Sequence, residues 1–202
     1  GGRTLTWRGL TADPFAEPEI LTVAEAFGRF AGLDLLAALD DREALAETAR
    51  RLSIRVAQDD DWSDLFSKIL NVRIEPELGR GRLTLLTEYP AREAALARLK
   101  PGDLSVSERF EMYACGVELA NGFGELVDPQ EQRMRFEASM AEKQRRYGEA
   151  YPIDADFLSA LEIMPEASGV ALGFDRLVML AAGAERIEQV LWTPVAPAGA
   201  PV

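Results

Sequence analysis

Residues 108–123 read ERFEMYACGVELANGF, two runs of alternating apolar and polar side chains with Cys115-Gly116 between them. An alternation of period two predicts β-strands, and the short break predicts that the two strands form a hairpin. A two-residue loop at the break places one apolar set on a common face, which is the core side. That set is Phe110, Met112, Ala114, Val117 and Leu119.

The opposite face of the hairpin carries two carboxylates, Glu111 and Glu118, as diagonal neighbours on adjacent strands. Tyr113 and Ala120 share that face, which points away from the core, so neither acid needs to be buried. Like charges that close are destabilising unless a cation lies between them, and Mg²⁺ takes oxygen ligands of this kind. The alternative is a solvated sheet face on which both acids point at water, and the pattern alone does not separate the two.

The composition is that of an ordinary globular domain, with 202 residues of which 48% are hydrophobic and 28% charged. This length suffices for one domain with a hydrophobic core, and the sequence shows no internal repeat. No apolar run approaches the roughly 20 residues that cross a membrane, and no signal peptide is recognisable. We therefore expect a single cytoplasmic domain that makes no membrane contact.

Missing residue types restrict the chemistry. The chain has no histidine and one cysteine, Cys115, which excludes Ser-His-Asp and Cys-His catalysis, His-ligated zinc and an internal disulfide. The net charge of −12 argues against a broad nucleic-acid surface, because phosphate binding requires a basic face. Catalysis must therefore use carboxylates, Arg, Lys, Tyr, backbone dipoles or a hard cation.

Helical and strand patterns occur on both sides of the hairpin. A capping box at Thr22-Val-Ala-Glu25 predicts the start of a helix that stops at Gly32. Amphipathic spacing predicts further helices over 41–52, 61–71, 91–100, 129–147 and 154–162. Strands are predicted over 83–87 and 168–174, with a Pro/Gly loop over 72–82.

The stretch SGVALGFDRLVML at 168–180 predicts a strand that runs directly into a helix with Asp175 as its N-cap. Arg176 then lies in the first helical turn, where the helix dipole disfavours a cation. An anion such as a nucleotide phosphate facing the guanidinium explains that position. The alternative is an Arg that extends away from the helix or pairs with Asp175 or a neighbouring Glu.

Together with the long helix between them, RFEMYACGVELANGFGEL and SGVALGFDRLVML resemble the C-terminal half of a class II lysyl-tRNA synthetase catalytic core. GVALGFDRL resembles motif 3 of that class, and E-x(6)-E-x-x-N-G-F-x-E resembles the lysine enzymes specifically. The resemblance covers 105–195 strongly and 83–99 moderately. It implies an α+β fold, an antiparallel β-sheet flanked by helices, in a single domain over residues 1–202.

Within this family the sequence is more similar to the truncated paralogues that ligate β-lysine onto elongation factor P. Ala120 stands where the synthetases usually carry Gly, and residues 90–97 read PAREAALA without the synthetases' Ser-Pro. The segments LTVAEAFGRFAGLDLL and IEPELG also resemble the paralogues. A Gly-to-Ala change in a substrate pocket can shift selectivity, because one methyl group is worth about 1–3 kcal/mol.

The resemblance implies a role for each matching residue. Glu111 and Glu118 would hold Mg²⁺ against the phosphates of ATP, with Glu118 also catalytic. Arg176, the second catalytic residue, would stack on adenine and reach the γ-phosphate, and Gly173 would let the backbone pass close to the nucleotide.

The same resemblance implies an amino-acid pocket lined by Ala120, Asn121, Phe123 and Glu125. Glu125 would face the distal ammonium of lysine or β-lysine.

Some family features are not found in this sequence. Motif 1, which usually builds the homodimer, and motif 2, with its Arg for the α-phosphate, have no counterpart in the chain. The start at Gly1 resembles a point just downstream of motif 2, so we expect a piece of a longer protein. Gly124 replaces the larger polar residue that is common between the Phe and the Glu.

The expected reaction of the full-length parent, a homodimer, is adenylation of a lysine-like amino acid followed by transfer to a lysine of elongation factor P. One alternative is a lysyl-tRNA synthetase fragment whose parent transfers lysine to tRNA(Lys). Another is a non-catalytic module that keeps the fold for interaction only. Without motif 2, we expect the 202 residues alone to show negligible ATP–pyrophosphate exchange.

Overall fold

The computed structural model describes residues 3–193. Gly1, on which the predicted start downstream of motif 2 rests, lies outside the described residues. Helices and strands are mixed along the chain, so the predicted α+β class is confirmed.

Ten strands occur in the described residues, and most have three to six residues. In chain order they are β1 (Leu5–Trp7), β2 (Leu10–Asp13), β3 (Glu19–Thr22), β4 (Gly81–Arg82), β5 (Thr84–Thr87), β6 (Leu99–Lys100), β7 (Asp103–Ser107), β8 (Arg109–Ala114), β9 (Val117–Gly124) and β10 (Ser168–Leu172).

Six α-helices accompany them, with short π and 3₁₀ turns between. The helices are α1 (Val23–Ala26), α2 (Arg42–Arg51), α3 (Trp62–Ile69), α4 (Pro129–Tyr147), α5 (Ala155–Leu161) and α6 (Phe174–Ala182). The π turns are Phe27–Ala31 and Leu70–Ile74, and the 3₁₀ turns are Glu75–Glu77, Ala91–Glu93 and Ile187–Gln189. No helix in residues 3–193 is long and apolar enough to cross a membrane.

The main sheet has five strands in the order β10-β9-β8-β5-β3. Strand β5 pairs antiparallel with β8, so that Leu86 lies opposite Glu111 and Thr84 opposite Tyr113. On its other side β5 pairs parallel with β3. This sheet confirms the predicted antiparallel-rich core and includes both strands of the predicted hairpin.

Residue packing divides the chain into two compact units. The first unit comprises residues 3–87, Phe110–Asn121 and 171–193 of the described chain. One of its apolar clusters stacks the ring of Phe66 between those of Phe27 and Trp62, with centroids 5.1 and 5.3 Å away. A second cluster gathers around the hairpin and α6, and its buried members are Leu5, Ala12, Ala114, Cys115, Leu119, Met179 and Leu180.

The second unit comprises Glu88–Arg109 and Gly122–Val170. Helices α4 and α5 pack against each other, and the rings of Phe136 and Phe157 lie 5.9 Å apart. Whether the whole chain is one portion of a single catalytic domain, as predicted, stays a prediction.

Most helix ends follow the sequence signals. The capping box of Thr22 and Glu25 is present, and Asp61 caps α3. The predicted helix over 91–100 is wrong beyond its first turn, because Ala95 adopts φ +51° and Leu99–Lys100 pair with β7. A left-handed residue ends a helix, and strand pairing then takes over the backbone hydrogen bonds.

Candidate active site

The hairpin of β8 and β9 turns at the two predicted residues. Cys115 and Gly116 have φ of +54° and +73°, the positive values that a tight two-residue hairpin turn requires. Their backbone N–H groups donate to the carbonyls of Gly79 and Leu78, both at 2.8 Å. The turn is therefore tied down at its tip, and this anchoring fixes which side chains of the hairpin share a face.

Glu111 is buried, with 7% of its surface exposed. The hydroxyl of Tyr113 donates to Glu111 Oε2 at 2.6 Å, and the amide of Asn121 donates to Oε1 at 3.1 Å. The prediction that neither acid needs to be buried is therefore wrong for Glu111. The alternative, a solvated sheet face on which both acids point at water, is wrong for the same reason. The error arose because both faces of the hairpin are covered: Tyr113, on the face assigned to solvent, is 0% exposed.

Glu118 lies on the neighbouring strand and is half-buried. Arg176 Nη1 donates to Glu118 Oε2 at 3.0 Å and to the Glu118 carbonyl at 2.9 Å. Arg176 therefore pairs with a glutamate, as one of the predicted alternatives has it. The partner is Glu118, which lies 58 positions away along the chain, and not Asp175 or an adjacent Glu. The structure thus brings the motif-3 Arg and the second hairpin carboxylate into direct contact.

The start of α6 explains how Arg176 reaches the hairpin. Gly173, not Asp175, is the N-cap, and no side chain caps this helix, so the predicted N-cap is wrong. The Gly173 N–H instead donates to the carbonyl of Leu119 at 2.8 Å, which ties the helix start to β9. A Cβ at Gly173 would meet Arg176 Cδ at 3.4 Å, so the glycine lies directly against the Arg side chain.

Sequence reasoning missed Glu75, a third carboxylate at this place. It follows the π turn Leu70–Ile74, in a stretch that was predicted to be a loop. Burial raises the pKa of the Glu75 carboxyl, as do the charges of Glu111 and Glu118, while a hydrogen bond from Tyr113 and the charge of Arg176 act against them. Three carboxylates and one guanidinium are therefore close enough to influence each other.

A signal for Glu75 existed in the sequence. The apolar stripe of α3 runs on through Leu70 to Ile74, both of which are buried, so the helical spacing continues to the residue before Glu75. The Asn71 amide nitrogen, oriented by its partners, donates to Glu75 Oε1 at 2.7 Å. Extending the helix by one turn would have predicted Asn71 and Glu75 on one face, four residues apart.

Asn121 ends the first unit on β9, next to the buried Ala120. Its amide nitrogen is used by Glu111, but its Oδ1 is buried and has no hydrogen-bond partner among residues 3–193. A buried acceptor without a donor is costly, and such groups call for an explanation such as a ligand or a water. An amino group of a substrate would supply the donor.

Phe123 and Glu125 belong to the second unit. The Glu125 N–H donates to the carbonyl of Ala167 at 2.9 Å, and a Cβ at Gly169 would lie 3.2 Å from Glu125 Oε1. The roles that the resemblance gives to Phe123 and Glu125 stay predictions.

Gly124, the departure from the family pattern, has a structural explanation. A Cβ at this position would lie 2.7 Å from Glu108 Oε2 and 3.2 Å from Arg98 Nε. Those two groups form an ion pair at 2.5 Å, so the pair occupies the space that a side chain at 124 would need.

The donor set fits a magnesium ion that also binds substrate. In residues 3–193 no group of three or more His, Cys, Asp or Glu side chains is arranged to hold a metal by itself. Mg²⁺ is commonly held by one or two carboxylates, with water and substrate phosphates completing its shell. Glu111 and Glu118 match that chemistry, whereas a site built only from protein ligands is not present in this part of the chain.

Cys115, the chain's single cysteine, is buried, and its Sγ lies 3.6 Å from the carbonyl of Leu5. Burial raises the pKa of its thiol, which disfavours the thiolate. Cys115 is therefore a poor nucleophile.

The antiparallel-rich sheet and the helix that follows β10 are consistent with the family that the sequence matches. Residues 20–196 match the family of class II tRNA synthetases (D, K and N), and the chain belongs to that family.

Within this family, the chain is similar to ligases of one name from several bacteria. The chain is 44% identical over 180 residues to the elongation factor P–(R)-β-lysine ligase of Proteus mirabilis (strain HI4320), an alignment that covers 88% of the chain and 55% of that ligase. The ligases of the same name from Klebsiella pneumoniae (strain 342) and Haemophilus influenzae (strain PittGG) are 43% and 42% identical, covering 86% of the chain in each case and 54% and 53% of the ligases. The chain thus spans about half the length of the curated relatives it matches.

Proposed function

We propose that the full-length protein activates (R)-β-lysine, or a closely similar lysine, with ATP and Mg²⁺ and transfers it to a lysine of elongation factor P. The observation that carries this proposal is the 42–44% identity to ligases of that name over 86–88% of the chain. A cytoplasmic, homodimeric parent without membrane contact is part of the same proposal. Inactivity of the 202 residues by themselves stays a prediction.

The proposed reaction has two steps. A carboxylate oxygen of the amino acid attacks the α-phosphorus of ATP, which forms an acyl adenylate and releases pyrophosphate. The lysine amine of the acceptor then attacks the acyl carbon, an amide bond forms and AMP leaves. No bond to the protein is made, so neither a histidine nor a reactive cysteine is required, and positioning and charge stabilisation supply the catalysis.

Glu111 and Glu118 are the residues we assign to Mg²⁺, which when bound offsets the negative charge of the ATP phosphates. The network around Glu111 supports this assignment, because Tyr113 and Asn121 orient its carboxylate from both sides. Ordered contacts of this kind hold a ligand in place before the substrate arrives.

Arg176 is the residue we assign to the adenine and the γ-phosphate of ATP. Its guanidinium is partly exposed and already lies 3.0 Å from Glu118 Oε2, so it can turn from carboxylate to phosphate with little movement of its backbone. Gly173, against which the Arg176 side chain lies, keeps that approach open.

Asn121 is the residue we assign to the amino-acid substrate, since its buried Oδ1 lacks a hydrogen-bond donor among the described residues. An ammonium group would satisfy it, and Ala120 beside it would limit the space. The prediction that Phe123 and Glu125 complete the pocket is included in the proposal.

The test uses full-length protein and two separate assays. Exchange of labelled pyrophosphate into ATP should depend on (R)-β-lysine or a related lysine, and elongation factor P should gain the mass of one such residue. A protein that charges tRNA(Lys) and leaves elongation factor P unmodified would instead be a lysyl-tRNA synthetase. Absence of any amino-acid-dependent exchange would favour the non-catalytic module.

A further inference from the structure

A buried tyrosine connects two of the three carboxylates of the first unit. Tyr113 lies two positions after Glu111 on β8, so their side chains project to the same face of the sheet. Tyr113 is 0% exposed, and its hydroxyl donates to Glu111 Oε2 at 2.6 Å. A buried tyrosine ring has few rotamers open to it, so packing fixes where the hydroxyl lies.

Glu75 lies within hydrogen-bond reach of the same hydroxyl, whose single hydrogen can be accepted by the carboxylate of Glu111 or by that of Glu75. Glu75 is held in turn by the Asn71 amide at 2.7 Å. A continuous row of polar contacts therefore runs from Asn71 through Glu75, Tyr113 and Glu111 to Asn121. We call this row the Tyr113 relay.

Stability does not explain the relay well. It gathers two carboxylates around one buried hydroxyl, next to a third at Glu118, and like charges in a partly dry environment are unfavourable. The arrangement is useful if Glu111 must present its carboxylate in one fixed orientation.

We propose that Tyr113 is a positioning residue that, supported by Glu75 and Asn71, fixes the carboxylate of Glu111 for the metal bound with ATP. This inference rests on the proposed function. Through the Glu111–Asn121 hydrogen bond, Tyr113 also fixes the direction of the Asn121 amide, so that Oδ1 stays turned toward the substrate amino group. One hydroxyl thereby aligns a metal ligand and an amino-acid ligand together.

The test is Tyr113→Phe in the full-length protein, a change that keeps the ring and removes only the hydroxyl. The affinity for Mn²⁺ in the presence of α,β-methylene ATP, measured by electron paramagnetic resonance, should fall by about tenfold. In the exchange assay the Mg²⁺ concentration for half-maximal rate should rise by a similar factor. The rate at saturating Mg²⁺ should recover most of the wild-type value, since metal in excess compensates for a poorly oriented ligand.

Tyr89→Phe is the matched control, because it removes another buried tyrosine hydroxyl, from the second unit, where Tyr89 is 2% exposed. It should leave Mn²⁺ binding unchanged. Wild-type Mn²⁺ affinity in Tyr113→Phe would overturn the inference, and so would a loss of rate that saturating Mg²⁺ does not restore.

Two outcomes separate this inference from the proposed function. A wild-type protein that binds Mn²⁺ with the ATP analogue but shows no amino-acid-dependent exchange contradicts the proposed function, while the binding comparison still decides the role of Tyr113. If Tyr113→Phe does not fold, Asn71→Ala replaces it, since Asn71 is exposed and reaches the relay through Glu75. That variant should show a smaller loss of Mn²⁺ affinity in the same direction, and unchanged affinity would overturn the relay.

Discussion

Arg176 and Glu118 are joined by two hydrogen bonds, one to the carboxylate at 3.0 Å and one to the main-chain carbonyl at 2.9 Å. Both side chains remain accessible, with 46% of Arg176 and 34% of Glu118 exposed. An ion pair this accessible contributes only about 0.2–1 kcal/mol, because water screens it. The contact therefore holds the proposed metal ligand Glu118 next to the proposed ATP ligand Arg176, and it adds little to the stability of the fold.

Glu118→Gln should abolish ATP–pyrophosphate exchange in the full-length protein, a loss of roughly 100-fold or more, because the neutral amide no longer offsets metal charge. The free energy of unfolding should change by less than about 1 kcal/mol. Exchange kinetics and urea denaturation measure the two effects.

Glu43→Gln is the control for Glu118→Gln, since Glu43 forms an exposed ion pair with Arg50 at 2.5 Å in the same unit. It should be as stable as Glu118→Gln and fully active. If Glu118→Gln keeps normal exchange, the hairpin carboxylates have no role in the chemistry.

Much of this arrangement was predictable from the hairpin sequence. The two-residue turn at Cys115-Gly116, the α4 helix and the strand-to-helix passage before Arg176 all follow from local patterns, and each is confirmed. Such features depend on neighbours within a few positions, which is what periodicity and turn residues report.

The burial of Glu111 was not predictable in the same way. Alternation tells which residues share a face, but not whether another part of the chain covers that face. Here Tyr113 and Glu111 are covered, and Glu75 arrives from a helical turn 36 positions before Glu111 along the chain. Helical spacing could place Glu75 beside Asn71, but contacts between residues so far apart in sequence have no local signal. Only the structure shows that Glu75 lies close to Tyr113 and Glu111.

Glu75→Gln should stabilise the metal-free protein. Burial and the charges of Glu111 and Glu118 raise the pKa of the Glu75 carboxyl, which means that its charged form is disfavoured in the fold. An amide of the same shape keeps the acceptor for Asn71 and removes that charge, so the free energy of unfolding at neutral pH should rise by about 1 kcal/mol. Urea denaturation in the presence of a chelator measures it.

The same substitution should weaken Mn²⁺ binding with the ATP analogue, because a negative charge beside the proposed ligands is lost. A stabilised protein with weaker metal binding is the pattern expected of a functional site that costs stability. A destabilised Glu75→Gln protein would contradict the assigned repulsion.

Gly79→Ala should prevent folding or lower the free energy of unfolding by at least about 3 kcal/mol. Gly79 has φ +70°, and a Cβ there would lie 2.4 Å from Ala114 Cα, a backbone atom that cannot move aside without moving β8. Gly81→Ala is the matched control, since Gly81 has φ +79° but open space around it, so only the conformational strain of about 1–2 kcal/mol applies. Equal losses in the two variants would show that close packing at the hairpin tip is unimportant.

Asp60→Asn should destabilise the protein in a pH-dependent way. The pKa of the Asp60 carboxyl is lowered mainly by a hydrogen bond from Lys68 at 2.5 Å. Burial acts in the opposite direction, and a hydrogen bond from the Ala57 N–H at 2.7 Å lowers the pKa further. A lowered folded-state pKa means that the carboxylate stabilises the fold above the unfolded-state pKa, and that this contribution is lost as the pH falls through the folded-state pKa. At pH 7 the variant should therefore be less stable than wild type by about 2 kcal/mol, and the difference should shrink steadily below about pH 4.

Urea denaturation from pH 7 down to pH 3 measures this, with Asp59→Asn, the exposed neighbour, as a control that should show no such trend. A stability difference that stayed constant across this range would mean that Asp60 acts through its shape and not through its charge.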